Sequence, residues 1–184
     1  MRKLALLLVI MGFALTSCNN SIDITRKLSE EDAAIVPYQE GQIVKFLNTI
    51  ANDTLTMKVI DDDIKAMSRT EENEYTKFHV EYGPYSYCRY ITLADDLNLF
   101  KMVFIVRPDS EFEFFFRDYD NNKDFSIVFD LEEIALTPSV TIDDVEYTDV
   151  YCKDINGGGK VIFSTEEGLE LFRTTNGVSY RLIE

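Results

Sequence analysis

His79 is the chain's one histidine, and Cys88 follows nine residues later. A thiol beside an imidazole is the raw material of a Cys-His nucleophile. Such a dyad also needs an orienting group and an oxyanion site. Neither has a signature here, and no Gly-x-Ser-x-Gly elbow offers a serine instead. His79 therefore reads as a surface residue on a strand, and no catalytic residue is assigned. One histidine and one pair of cysteines also make no zinc spacing. Calcium is better supplied: Asp118, Asp120, Asn122 and Asp124 place oxygen ligands at alternating positions. Yet Lys123 stands where a calcium loop needs its turn glycine, and Phe129 where it needs the bidentate glutamate. These four are calcium candidates only against a competing reading, a plain hairpin turn. No metal or other cofactor is expected.

Cys88 and Cys152 have two readings. They could form a disulfide if the chain matures in an oxidising compartment. They could equally be free thiols packed in strands as small hydrophobes. A bond would close a long loop and add roughly 4 kcal/mol. The paired acids Asp95-Asp96 and Asp143-Asp144 do not suit glycoside hydrolysis. Adjacent strand residues point to opposite faces, and adjacent turn residues are simply solvated. Four tyrosines, Tyr82, Tyr85, Tyr87 and Tyr90, cluster around one turn and could stack on a sugar. Tryptophan, the strongest stacking residue, is absent from the chain. Aromatic residues are also ordinary in strands and cores.

The third cysteine is different. Arg2 and Lys3 form a cationic head, and Leu4 to Leu15 an apolar run too short to span a bilayer comfortably. The run ends in Leu15-Thr16-Ser17-Cys18, which resembles the lipobox of bacterial lipoproteins. That resemblance implies lipidation of the Cys18 thiol and cleavage just before it. The expected organisation is a lipoprotein signal peptide over 1–17, a lipidated cysteine and polar tether over 18–37, and a globular domain over 38–184. More than one acyl chain at Cys18 would anchor the protein firmly. The implied location is the cell envelope, on the outer membrane, facing either the periplasm or the cell surface.

Charge narrows the partners. The chain carries a formal charge of −15, and removing residues 1–17, with two cations and no acids, takes it to −17. Such a surface repels nucleic acid, so none is expected as a partner. The 167 residues that remain suit one domain with a real core.

The elements that would hold these groups are mostly strands. Thr54 to Ile60 alternates strictly, with Leu55, Met57 and Val59 on one face. It pairs as a hairpin with Gln42–Asn48 across Asn52-Asp53. Asp61 to Asn73 is polar and reads as a loop or short surface helix. Further strands are expected over 75–82, 85–93, 99–107, 111–117, 124–131, 145–153, 160–164, 169–174 and 178–183. Turns fall at Gly83-Pro84, Pro108-Asp109-Ser110, Asp120-Asn121-Asn122 and Asn156 to Gly159. Asn176-Gly177 is a strong hairpin signal, with Leu169, Leu171, Val178, Tyr180 and Leu182 alternating around it. Ser29 is placed to cap a turn or two of helix before Glu30, Glu31 and Asp32. About ten strands with short polar turns predict a mainly β domain, an antiparallel sandwich or barrel.

The two ends of the domain carry a resemblance. Pro37-Tyr38-Gln39-Glu40-Gly41 at the start, and Val150-Tyr151-Cys152-Lys153, Gly168-Leu169, Phe172, Asn176-Gly177, Tyr180 and Leu182 at the end, resemble small uncharacterised lipoproteins of the Bacteroidetes. Tyr180 stands where tryptophan is frequent in that group. The likeness is structural and implies no activity. Asp53-Thr54-Leu55 also resembles the acceptor of protein O-glycosylation in that lineage, with Thr54 as the modified residue. Together these readings predict a non-catalytic binding or assembly module, held to the membrane by its lipid, with a protein or glycan partner. The alternative is an envelope enzyme acting on glycan or peptide.

Overall fold

The structure is a computed structural model, and it describes residues 26–67, 70–71, 80–81, 86–120, 123–155 and 157–183. Cys18, His79, Tyr82, Tyr85 and Asn122 lie outside them. The described chain is mainly β, and its one helix is α1 (Glu30–Ala34). No helix among the described residues is long and apolar enough to cross a membrane.

Eleven strands form one antiparallel sheet. They are β1 (Ile43–Asn48), β2 (Asp53–Met67), β5 (Ser86–Ala94), β6 (Phe100–Arg107), β7 (Glu111–Asp118), β8 (Lys123–Asp130), β9 (Thr137–Ile142), β10 (Val145–Ile155), β11 (Gly159–Ser164), β12 (Gly168–Arg173) and β13 (Ser179–Leu182). The order across the sheet is β8-β7-β6-β5-β2-β1-β13-β12-β11-β10-β9. Two short strands, β3 (Thr70–Glu71) and β4 (Val80–Glu81), pair with each other beyond the β2–β5 ladder.

Connectivity forces this sheet to curl. Its two edge strands, β8 and β9, are joined by residues 131–136 alone. Eleven flat strands would set those edges about 48 Å apart, and so short a link reaches at most about 25 Å. The sheet bends into a half-barrel, and Lys153 of β10 donates a hydrogen bond to the Val128 carbonyl on β8. Its concave face is packed with aromatic rings. Phe112 on β7 meets Phe163 on β11 with centroids 4.4 Å apart, and Phe116 meets Phe172 on β12 at 4.8 Å. These contacts join strands at opposite ends of the sheet order. Alternation in β7 supplies the rings, because Phe112, Phe114 and Phe116 are all buried.

One end of the half-barrel is plugged by the segment before β1. Ser29 caps α1, its oxygen accepting from the Asp32 N–H at 2.9 Å, as the sequence predicts. The described part of the expected 18–37 tether, residues 26–37, packs on the domain instead of standing clear of it. Leu28 packs against the main core, and Ile35, Val36 and Tyr38 are buried in it. Arg89 on β5 secures the plug. Its guanidinium donates to the carbonyls of Ala33, Val36 and Tyr38, and pairs through two bonds, at 2.7 and 2.8 Å, with Asp62 on β2. A planar fork with five donors suits this arrangement, and lysine could not reproduce it.

Two further differences from expectation have local causes. Residues 61–67 are not a loop or helix but the second half of β2, paired with β5 from Asp61↔Thr92 to Met67↔Ser86. Ile60 is skipped in that register, so a bulge lets an apolar-alternating strand continue as a polar one. Strand β9 carries no expectation in the sequence. Pro138 argues against a strand, and it is tolerated because β9 lies on an edge of the sheet.

Candidate functional site

The structure separates the sequence's candidate chemistry. Cys88 on β5 and Cys152 on β10 are free thiols, with five strands between theirs in the sheet order. The disulfide reading is thereby corrected in favour of packed cysteines. Burial pushes both thiols above their ordinary pKa, which opposes reactivity. Two of the calcium candidates, Asp118 and Asp124, line the open mouth of the half-barrel but differ in burial. Asp118 is buried on the inner face, opposite Lys123 in register, whereas Asp124 sits opposite Arg117. Asp120 is exposed in the turn. Among the described residues no group of three or more His, Cys, Asp or Glu side chains is placed to hold a metal.

Other candidates prove to be turn chemistry. Asp95 accepts from the Phe100 and Leu97 N–H groups at 2.7 and 3.2 Å, closing the β5–β6 turn. Asp143 and Asp144 form the two-residue β9–β10 turn, both at positive φ. Tyr87 and Tyr90 lie three residues apart on β5 and so face opposite ways, which prevents a shared stacking surface. Thr54 is exposed near the start of β2.

Two concave regions remain. The first is the open mouth of the half-barrel, at the end away from α1. The β1–β2, β5–β6, β7–β8 and β12–β13 turns all lie at this end. Phe100, Phe116, Phe125 and Tyr180 line a cavity of about 540 Å³. Asn48, Asp118, Asp124, Thr174, Thr175 and Asn176 also line it. The rings are held by one another: Phe116 lies 5.6 Å from Phe125, and Tyr180 stacks on Phe172 at 4.6 Å and 9°. Burial raises the pKa of the Tyr180 phenol, and nearby Asp118 and Asp53 push it the same way. The Asn176-Gly177 turn forms part of the wall. Thr174 N–H bonds the Val178 carbonyl at 2.9 Å, and Gly177 takes the positive φ that the turn requires.

The second region lies on the outer face. Strand β10 changes partners midway: Val145 to Val150 pairs with β9, and Tyr151 to Ile155 pairs with β11. Asp149, just before the change of partner, has φ +53° and stands opposite Pro138 of β9. This kink folds the β9–β10 hairpin back over the sheet as a flap. Tyr147 and Val150 of the flap pack on Ile162 and Leu171, a small core separate from the main one. Asp143 at the flap's tip pairs with Arg173 of β12.

Beneath the flap is a cleft of about 520 Å³, lined by Val145, Glu146, Tyr147, Glu167, Glu170, Arg181, Leu182 and Ile183. Glu170 arrives there through a bulge. The β11–β12 register runs Ile162↔Leu171 and then Phe163↔Leu169, leaving Glu170 unpaired. The alternation of Leu169 and Leu171 in the sequence predicts one shared face. The bulge instead sends Leu169 to the main core and Leu171 to the outer cluster. Burial raises the Glu170 pKa, and neighbouring Glu167 and Glu166 add to the rise against a hydrogen bond from Ser164. Tyr147 is 5 % exposed, and its hydroxyl has no hydrogen-bond partner among the described residues. Sequence reasoning missed this region. Its parts come from three strands, and only Asp143-Asp144 signalled the turn that builds the flap.

The two ends that carry the sequence resemblance do meet. Leu169 N–H donates to the Tyr38 hydroxyl at 2.8 Å. Gly168, at φ +85°, lies against the same ring, where a Cβ would come within 2.6 Å of Tyr38 Cζ. These residues hold the plug in place and have no chemical role there. Comparison with known proteins returned nothing: no protein-family model, no curated protein and no solved structure matches the chain.

Proposed function

We propose that this chain is a lipid-anchored, non-catalytic binding module of the cell envelope, tethered to the outer membrane through Cys18. The observation that carries the binding role is the mouth of the half-barrel. An apolar floor with a few polar groups at its rim is the usual composition of a small-ligand site, and barrel mouths are a usual place for one. Half-buried Phe100 and Phe125 offer ring surface, while Asn48, Asp124, Thr174 and Asn176 offer donors and acceptors. Rings beside amides, hydroxyls and carboxylates suit a glycan residue, whose apolar ring face and hydroxyls need both. The anchor rests on the cationic head, the apolar run and Leu15-Thr16-Ser17-Cys18.

Two arms test the proposal. Cells expressing the wild type and Cys18→Ser are fractionated; the wild type is expected in the outer-membrane fraction and the variant in the soluble one. An unchanged distribution overturns the anchor. The full chain is then screened against envelope glycans, with Asp124→Asn as the mouth variant. Retention of a glycan that the variant releases supports the binding role. Turnover of the glycan, or binding indifferent to the variant, overturns it.

A further inference from the structure

The cleft beneath the β9–β10 flap holds charges that do not neutralise each other. Arg181 stands opposite Leu171 in the β12–β13 register, and Glu170 is the next residue along β12. Both residues line the cleft. Yet Arg181 makes no ion pair or hydrogen bond among the described residues, although Glu146, Glu167 and Glu170 line the same cleft. The acids have other partners. Ser139 donates to Glu146 at 2.6 Å, and Ser164 hydrogen-bonds Glu170. The guanidinium and the bulged carboxylate are therefore held apart on one floor.

The flap closes this floor with an unsatisfied group. A buried polar atom without a partner is rare in folded proteins and calls for an explanation. The charges nearest the Tyr147 phenol in effect include those of Arg181 and Glu170. Val145 and Ile183 supply an apolar flank. The cleft is thus lined by a cation, an anion, a buried phenol and an apolar wall.

We propose that this cleft binds a small zwitterion, an α-amino acid or a short peptide, with its carboxylate on Arg181 and the Tyr147 hydroxyl and its ammonium on Glu170. The aliphatic side chain then lies against Val145 and Ile183. A carboxylate accepts the guanidinium's donors in fork geometry and takes the phenol's proton as a third bond. A bulge is a common device for re-aiming one side chain beside a site, and here it turns Glu170 toward the ammonium. Nothing in this proposal depends on the mouth, which belongs to another part of the molecule.

Isothermal titration calorimetry on the full chain in detergent tests it with four probes. L-leucine and L-leucyl-L-leucine carry both charges; isovalerate lacks the ammonium, and isoamylamine lacks the carboxylate. One or both zwitterions are expected to bind, and which one binds identifies the source as amino acid or peptide. Each single-charge analogue is expected to bind at least tenfold more weakly, because it leaves a buried partner unpaired. Tyr147→Phe, Glu170→Gln and Arg181→Gln are each expected to weaken binding at least tenfold, while Asp124→Asn leaves it unchanged. Far-UV circular dichroism checks that each variant folds. Where one does not, the Tyr147 ring resonances of the wild type must shift on adding the zwitterion. Absence of binding by both zwitterions at millimolar concentration overturns the proposal. So does equal binding of isovalerate, unaltered affinity in the folded variants, or an unmoved Tyr147 resonance.

Discussion

Tyr38 and Tyr147 are both buried phenols, 1 % and 5 % exposed, and their surroundings differ in kind. Tyr38 is fully engaged. Its ring packs edge-on against Phe104 at 5.4 Å, its hydroxyl accepts the Leu169 N–H, and Gly168 makes room for it. Tyr147 has its ring in a small outer cluster and its hydroxyl unpartnered. The first belongs to a region whose buried polar groups are bonded: Arg89 takes three carbonyls and Asp62, and Asp32 accepts from Ser110 N–H at 2.9 Å. The second belongs to a region where polar groups are left available. Burial alone does not separate structure from site; satisfaction of the buried polar groups does.

The sharpest way to break this contrast is at the plug. Arg89→Met strands Asp62 and removes the donors to three carbonyls, and breaking such a half-buried pair costs about 3–5 kcal/mol. The thermal midpoint is expected to fall by roughly 10 °C or more, at about 2–4 °C per kcal/mol for a domain of this size. A midpoint within two degrees of wild type, as an order of magnitude, removes Arg89 from the anchoring role. Gly168→Ala comes next. It forces a side chain into left-handed backbone and into the Tyr38 ring, at about 2–3 kcal/mol. Urea denaturation measures this, and an unshifted transition contradicts the close approach.

The phenol comparison itself is read by two matched substitutions. Tyr38→Phe leaves the Leu169 N–H buried without its acceptor, an expected loss of about 1–3 kcal/mol. Tyr147→Phe removes a hydroxyl that has no partner, so stability is expected to stay level or rise slightly. Equal losses in the two variants, measured by denaturant unfolding, would show that the two hydroxyls are equivalent after all.

The smallest effect is in the pH dependence, where the same two regions have opposite signs. Burial pushes Asp32 upward, but hydrogen bonds from Ser29, Ser110 and Asp109 outweigh it, and its pKa is lowered. Its stabilisation is present above the ordinary aspartate range and is lost as pH falls through the lowered value. Glu170 has a raised pKa, so its contribution is favourable below the ordinary glutamate range and is lost as pH rises through the raised value. Asp32→Asn is expected to flatten the acid limb of a stability profile, and Glu170→Gln to flatten a decline above it. Thermal midpoints between about pH 3 and 7, a window spanning the carboxylate range, check both slopes. A wild-type profile unchanged by either variant removes the contrast.

Much of the fold was legible in the residues. Period-two alternation marked the first half of β2, and apolar or aromatic composition between turn residues marked β1 and the strands from β5 to β8. Asn176-Gly177 marked the closing turn, and Ser29 marked the cap of α1. These signals are local: side-chain alternation, backbone conformation and end capping act over a few residues. Strand β7 also carries phenylalanines at 112, 114 and 116, all buried on one face.

What the tertiary structure alone decided is which of those faces meet. The bulges at Ile60 and Glu170 break the alternation without a residue that signals them, because a bulge is stabilised by the partner strand. The kink at Asp149 turns a hairpin into a flap only because an apolar outer patch, Ile162 and Leu171, waits beneath it. Residues 18–37 read as a polar tether, yet Ile35 and Val36 within them, and Tyr38 after them, are buried in the main core. The sequence by itself determined strands, turns and an apolar face, because these follow from steric and hydrogen-bond rules between near neighbours. The closing of the sheet, the plug and the cleft around Tyr147 depend on groups far apart in the chain, whose contact exists only once the sheet has curled.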